Sequence, residues 1–166
     1  MTRTFHSFLH LIGAGGGILL LLGLALYTLT FFRRMHLFGL IGAGLVGAGL
    51  VLFIVGNFNY AILHGLLNLV TINDPLHQVP LNLAPLILSL GAFIFGLAAT
   101  RNKAVSFYLA LFFLISSLIY GLGWLQVGDS MQRQSNLSRY LKALLIVLPF
   151  GVAWFWLGVE RLRSKK

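Results

Sequence analysis

The chain has no cysteine and only three acidic residues, Asp74, Asp129 and Glu160, among its 166 residues. Without cysteine there is no disulfide, no thiolate metal ligand and no thiol redox chemistry. Catalysis by paired carboxylates needs two acidic side chains close together, and these three are far apart in the sequence. The sequence therefore favours a protein without catalysis of its own, and leaves open only an enzyme whose chemistry lies at the outer surface.

Charge of either sign is scarce as well. Charged residues make up 9% of the chain and hydrophobic residues 58%, with a mean hydropathy of +0.92. An ordinary soluble domain is about 45–50% apolar and about 25% charged, so a soluble fold could not bury this much apolar surface. No Asp, Glu, Lys or Arg falls in the middle of an apolar stretch, which argues against an ion-coupled transporter. The composition predicts an all-α membrane protein.

Five apolar stretches approach or exceed the roughly 20 residues that a helix needs to cross a bilayer. The predicted spans cover about residues 8–32, 37–56, 81–100, 104–124 and 141–159. The gaps after the first and third spans are short, which forces the flanking helices into antiparallel hairpins. The sequence thus predicts one transmembrane domain over residues 1–166, a bundle of five transmembrane helices with one amphipathic helix on the outer side.

The amphipathic helix is predicted over about residues 57–72. Its polar residues recur at helical spacing and form one stripe, here called the polar stripe: Asn57, Tyr60, His64, Asn68 and Thr71. A helix in the outer interface fits this pattern better than a sixth span. A sixth crossing would also carry Arg101 and Lys103 to the other side of the membrane and scramble the distribution of basic residues.

Three prolines follow the polar stripe, at Pro75, Pro80 and Pro85. Proline lacks a backbone N–H and is disfavoured inside a helix, but it is common at the first helical position. Residues 73–85 are therefore predicted to form a non-helical outer loop. The third span is expected to begin near Pro80 or Pro85.

Basic residues fall in alternate gaps between the spans and predict the orientation. Eight lie on one side, Arg33, Arg34, Arg101, Lys103, Arg161, Arg163, Lys165 and Lys166, and four on the other, Arg3, Arg133, Arg139 and Lys142. The richer side is expected in the cytoplasm, which places the N-terminus outside and the C-terminus inside, in a bacterial-type plasma membrane. Because the basic residues flank apolar runs, we expect anionic lipid headgroups as partners and no nucleic acid.

Small residues in the second span predict close helix packing. Gly39, Ala43 and Gly47 stand four residues apart, and Gly44 pairs with Ala48 on a neighbouring face. Small residues let helix backbones approach each other, which drives association where the hydrophobic effect is absent. Packing within the bundle is the favoured interpretation. An interface with a second copy or a partner subunit, or a groove for a flat ligand, stays open.

Histidine is the only residue type that suggests a cofactor. His6 and His10 share a face of the first helix, His64 lies on the polar stripe, and His77 lies in the predicted outer loop. Imidazoles four residues apart can form half of a zinc or copper site, and a histidine pair can also bind haem. The plain alternative is that these histidines hydrogen-bond headgroups or loop carbonyls.

Three functions follow from these patterns. The leading hypothesis is an accessory, assembly or interaction subunit whose glycine-rich helices pack against partners. The second is a membrane redox protein that binds a metal or haem through the outer-face histidines. The third is a carrier for a lipid or small apolar solute, with the amphipathic helix as a gate, which requires a cavity between the helices.

Overall fold

A computed structural model describes residues 3–31, 36–67, 69, 75–101, 106–130, 145, 147–157 and 159 of the chain. These residues form five helices, and no strand occurs among them. The helices are α1 (Arg3–Phe31), α2 (Leu37–Asn59), α3 (Pro75–Arg101), α4 (Phe107–Ser130) and α5 (Val147–Leu157). The expectation of an all-helical protein is confirmed.

Three segments are long and apolar enough to cross a membrane: Ser7–Leu29, Leu37–Leu66 and Gln78–Thr100. The apolar parts of the last two helices, Phe107–Gly123 and Val147–Leu157, are shorter within the described residues. Half of the apolar window of α3 is buried inside the bundle, against 17% of that of α1. Helix α3 is therefore central, and α1 is peripheral.

The end of α2 differs from the sequence-based prediction. Residues Tyr60–Leu66 continue α2 directly as a π-helix, so Leu37–Leu66 is one unbroken helical run of 30 residues. No boundary separates a span ending at Gly56 from a second helix, because Asn57 and the residues after it keep helical backbone geometry. Residues 57–66 of the predicted helix therefore form the end of this run. Residues 68 and 70–72 lie outside the described part.

The predicted proline loop is also helical. Helix α3 begins at Pro75 and includes Pro80 and Pro85, so the expectation of a non-helical loop before a helix start near Pro80 or Pro85 is wrong from residue 75 onwards. Pro80 has no N–H to donate to the carbonyl of Leu76 one turn earlier. The side-chain amide of Asn59 donates to that carbonyl instead, at 2.9 Å. A tertiary hydrogen bond therefore replaces the one that proline removes.

The contact between α2 and α3 is the most extensive between helices in the described structure. Glycines at seven-residue spacing on α2, Gly42, Gly49 and Gly56, lie against the α3 backbone, and Gly91 of α3 lies against α2. We call these four residues the glycine seam. A Cβ on Gly49 would lie 2.8 Å from the backbone nitrogen of Leu88, and one on Gly91 would lie 2.6 Å from that of Val46. The helices are antiparallel, since Gly42 faces Phe95 and Gly56 faces Leu81.

The other helices pack on this pair with larger side chains between them. Helix α1 runs antiparallel to α2, with Gly17 against Ile54 at one level and Gly47 of α2 against Leu24 at another. Helices α4 and α5 join α3 through an aromatic cluster: Phe95, Phe113, Tyr120, Phe150 and Trp154. The core is therefore tight between α2 and α3 and bulkier around them.

Candidate functional site

Polar side chains gather where α1 begins and α2 ends. We call this group the polar cluster: Ser7, His10, Asn57, Tyr60 and His64. Ser7 is buried, and a Cβ on Gly65 would overlap its hydroxyl group, so the first turns of α1 lie directly against the π-helical segment. Glycine at position 65 is what allows this approach.

A hydrogen bond between His10 and Asn57 links the two helices. The distance from His10 Nδ1 to Asn57 Oδ1 is 2.7 Å, and Asn57 is 5% exposed. The side-chain amide nitrogen of Asn57 donates to the carbonyl of Phe53 at 2.8 Å, so its oxygen is the group that faces the imidazole. His10 Nδ1 therefore carries a hydrogen and donates a hydrogen bond to Oδ1 of Asn57. This tautomer leaves the lone pair of His10 on Nε2.

Tyr60 stands between two histidines. Its ring centroid is 4.0 Å from that of His10 and 5.0 Å from that of His64. The π-helical turns that carry Tyr60 and His64 are wider than α-helical ones, and such turns often occur at functional sites. The cluster thus combines two imidazoles, a phenol and an amide in a bundle that is otherwise mostly apolar.

Two of the four histidines predicted as metal ligands, His10 and His64, both lie near the ring of Tyr60. His6 lies on α1 one turn before His10, and His77 lies near the start of α3, but the side chains of both fall outside the described part. Within the described residues no three histidine, cysteine or acidic side chains form a group that could hold a metal ion. The metal-ligand set stays a prediction.

Three residues of the predicted polar stripe have side chains in the described part of the structure. Asn57, Tyr60 and His64 take part in the polar cluster, on the side of α2 that faces α1. Asn68 and Thr71 lie outside the described residues. The stripe therefore contacts another helix over its first two turns.

The predicted packing residues of α2 divide between buried and exposed positions. Gly39 and Ala43 are buried, and Gly47 faces Leu21 and Leu24 of α1. Gly44 and Ala48 are exposed, and a Cβ on Gly44 would meet nothing within 4 Å in this chain. The closest backbone contacts belong to the glycine seam. Four-residue spacing did not reveal the seam, but the seven-residue spacing of Gly42, Gly49 and Gly56 could have.

A cavity of about 570 Å³ lies between the helices and opens to the bundle surface, where Leu19, Leu20 and Phe155 of its lining are 49–74% exposed; we call it the internal cavity. All five helices contribute to its lining, including Leu24 of α1, Phe53 of α2, Pro85 of α3, Tyr120 of α4 and Trp154 of α5. None of the described residues that line it is charged. Its volume is within the range of about 300–1,000 Å³ of small-molecule sites in proteins.

The internal cavity follows the bundle axis. Its lining extends along α5 from Val147 to Leu157, about 15 Å at about 1.5 Å per residue. Phe53 lines it and also accepts the hydrogen bond from Asn57, and Leu81, which faces Gly56, lines it too, so the polar cluster lies next to one end of the cavity. This arrangement can bind an elongated apolar molecule. It contains no nucleophile with an adjacent base among the described lining residues.

Trp154 and Phe150 form an aromatic wall of this cavity. Trp154 stacks near Phe95 and meets Phe113 edge-on, with ring centroids 6.3 and 4.9 Å away, and Phe150 stacks on Tyr120 at 4.5 Å. Bulky rings held on both sides give this wall a fixed shape.

Comparisons of the chain with protein-family models, with curated proteins and with solved structures found no match.

Proposed function

We propose that this protein is a small multi-pass membrane protein that binds a lipid chain in the internal cavity, without catalysis of its own. The observation that carries this proposal is an uncharged, largely apolar cavity of about 570 Å³ within a bundle of apolar helices. Lipid is the apolar ligand that a membrane supplies at the highest concentration. A lipid chain in this open, apolar cavity would make van der Waals contacts with lining atoms that otherwise have no partner on that side.

The proposed topology has five crossings in a bacterial-type plasma membrane, with the N-terminus outside and the C-terminus in the cytoplasm. The antiparallel packing of α1 with α2 and of α2 with α3 supports it, because the basic pair after α1 and Arg101 then fall at the same end. The run Leu37–Leu66 is about 45 Å long, which exceeds the roughly 30 Å hydrocarbon core. Its last turns, with the polar cluster, would reach the headgroup level.

A cavity-filling substitution tests the proposed function. Gly23 lines the cavity, and a Cβ at this position would meet nothing within 4 Å, so Gly23→Leu fills space without a backbone clash. Gly16→Leu is the matched control, since Gly16 is on the same helix, has the same open surroundings and does not line the cavity.

The measurement is quenching of Trp154 fluorescence by a dodecane brominated at mid-chain, in a background where Trp124 and Trp156 are replaced by phenylalanine. Saturable quenching is expected in this background and with Gly16→Leu, and its loss is expected with Gly23→Leu. If quenching rises only in proportion to the probe in all three proteins, the cavity binds no lipid chain and the proposal fails.

A second candidate function is that of an accessory or assembly subunit. It is favoured by the exposed position of Gly44 and Ala48, which offer a close-packing surface that this chain does not use itself. Native mass measurement in mild detergent tests it. A dimer or a co-purifying subunit that is lost in Gly44→Leu would support this function, and a lone monomer would exclude it.

Metal or haem binding is a third candidate. It is favoured by the His10 tautomer, because histidines that ligate a metal usually donate the opposite ring N–H to an oxygen, as His10 does to Asn57. An absorption spectrum and metal analysis of the purified protein decide this candidate. The absence of a visible band together with no stoichiometric zinc, copper or iron would end it.

A further inference from the structure

The polar group of interest in the wall of the internal cavity is the hydroxyl of Tyr120. Tyr120 is 6% exposed and lines the cavity, and its ring is fixed by stacking on Phe150 at an interplanar angle of 11°. Its hydroxyl makes no hydrogen bond to any other residue of the described structure. Buried tyrosine hydroxyls usually have a partner, since leaving one unpaired costs about 1–3 kcal/mol. A cavity ligand can supply that partner.

The depth of Tyr120 limits which lipid can do so. A Cβ on the next residue, Gly121, would overlap the side chain of Ser89. Tyr120 of α4 is therefore at the same level as the middle of α3. Phosphate and ester groups of membrane phospholipids stay near the interfaces, about 15 Å from the midplane of a hydrocarbon core about 30 Å thick. An oxygen atom that reaches Tyr120 must therefore belong to a molecule that enters the bundle with its polar group.

The charge of that molecule is limited as well. Leu50 and Leu88 also line the cavity, and no cationic side chain occurs among the described residues of the cavity wall. Burial of a carboxylate or phosphate without a cation would cost many times the value of one hydrogen bond. The ligand must therefore be neutral.

Building on the proposed lipid-binding function, we propose that the internal cavity is selective for a neutral long-chain molecule with a hydroxyl or carbonyl oxygen. The Tyr120 hydroxyl donates a hydrogen bond to that oxygen. Phe150 holds the phenol ring in place, and the apolar wall contacts the chain. This assignment distinguishes a specific ligand from a phospholipid acyl chain, which would leave Tyr120 unpaired.

The experiment compares three probes on the Trp154 background: dodecane, dodecanol and dodecanoic acid, each brominated at mid-chain. Dodecanol is expected to bind about 2- to 10-fold more tightly than dodecane, the value of one hydrogen bond of about 0.5–1.5 kcal/mol. Dodecanoic acid at pH 8 is expected to bind more weakly than either. Tyr120→Phe removes only the hydroxyl, so it should bind dodecane unchanged and lose the preference for dodecanol.

Each outcome separates the two proposals. Equal affinity for dodecane and dodecanol in the Trp154 background, with saturable binding of both, overturns the role of Tyr120 and leaves the lipid-binding function standing. A preference for dodecanol that persists in Tyr120→Phe overturns it too. No saturable binding of any probe overturns both proposals. Circular dichroism of Tyr120→Phe verifies that its helix content is retained, and Tyr108→Phe, which removes an exposed hydroxyl on the same helix outside the cavity lining, is the matched control and should keep the preference for dodecanol.

Discussion

Helix α2 meets its two neighbours in different ways. Towards α3 the glycine seam brings backbone against backbone, so a Cβ on Gly49 would meet the Leu88 nitrogen. Towards α1 the limiting atoms belong to side chains: a Cβ on Gly17 would lie 2.8 Å from Cγ1 of Ile54. Backbone atoms in a packed helix cannot yield, whereas a side chain can change rotamer. The α2–α3 pair is therefore the rigid part of the bundle, and α1 is held more loosely.

The polar cluster compensates for the looser packing of α1. A hydrogen bond between helices has a direction, and His10 and Asn57 fix the position of the first turns of α1 relative to α2. Further along α1, Leu24 and Tyr27 line the internal cavity. Backbone packing on one side of α2 and side-chain contacts on the other leave room for a ligand site beside α1.

The largest expected effect comes from a bulky residue in the glycine seam. We expect Gly49→Leu to destabilise the protein by about 3 kcal/mol or more, because overpacking against backbone cannot be relieved by rotamer changes. The measurement is unfolding by sodium dodecyl sulfate in mixed micelles, followed by circular dichroism. Gly44→Leu, on the exposed face of the same helix, is the control and should not be destabilising, because leucine has a higher helix propensity than glycine. Equal losses of stability in the two variants would contradict close backbone packing at the glycine seam.

Loss of the polar contact to α1 should have an intermediate effect. Asn57→Ala removes the acceptor of His10 Nδ1 and is expected to cost about 1–2 kcal/mol in the same unfolding assay. Asn82→Ala, at an exposed position of α3, is the matched control and should be near neutral. In a double-mutant cycle, His10→Ala should cost less in the Asn57→Ala background than in the wild type. Strict additivity would show that the two residues do not interact.

Alanine substitutions compare the two flanks of α2 directly. Alanine has a higher helix propensity than glycine by about 1 kcal/mol, which offsets part of any packing cost. Gly17→Ala is expected to be within about 1 kcal/mol of the wild type because Ile54 can move, whereas Gly49→Ala should be clearly destabilising. Thermal unfolding in detergent measures both. A larger loss in Gly17→Ala than in Gly49→Ala would reverse the assignment of rigid and loose sides.

The sequence predicts the helices better than their ends. Apolar length is a local property, and it predicts the all-helical class that the described residues show. The spacing of Asn57, Tyr60 and His64 likewise predicts a shared face. The start of α3 could not be predicted, because Pro80 is tolerated through a hydrogen bond from Asn59, which is distant in sequence. The internal cavity depends on how five helices pack together, and no single stretch of sequence encodes it.

The smallest expected effect concerns this replacement hydrogen bond. Asn59→Leu removes the hydrogen bond from Asn59 Nδ2 to the carbonyl of Leu76, at an exposed site where water can substitute, so we expect a loss of about 0.5–1 kcal/mol. The variant Pro80→Ala restores a backbone N–H that can bond to Leu76 within the helix. Asn59→Leu should therefore cost less in the Pro80→Ala background than in the wild type. A cost that is the same in both backgrounds would mean that Asn59 contributes through packing and that the carbonyl freed by proline is satisfied in another way.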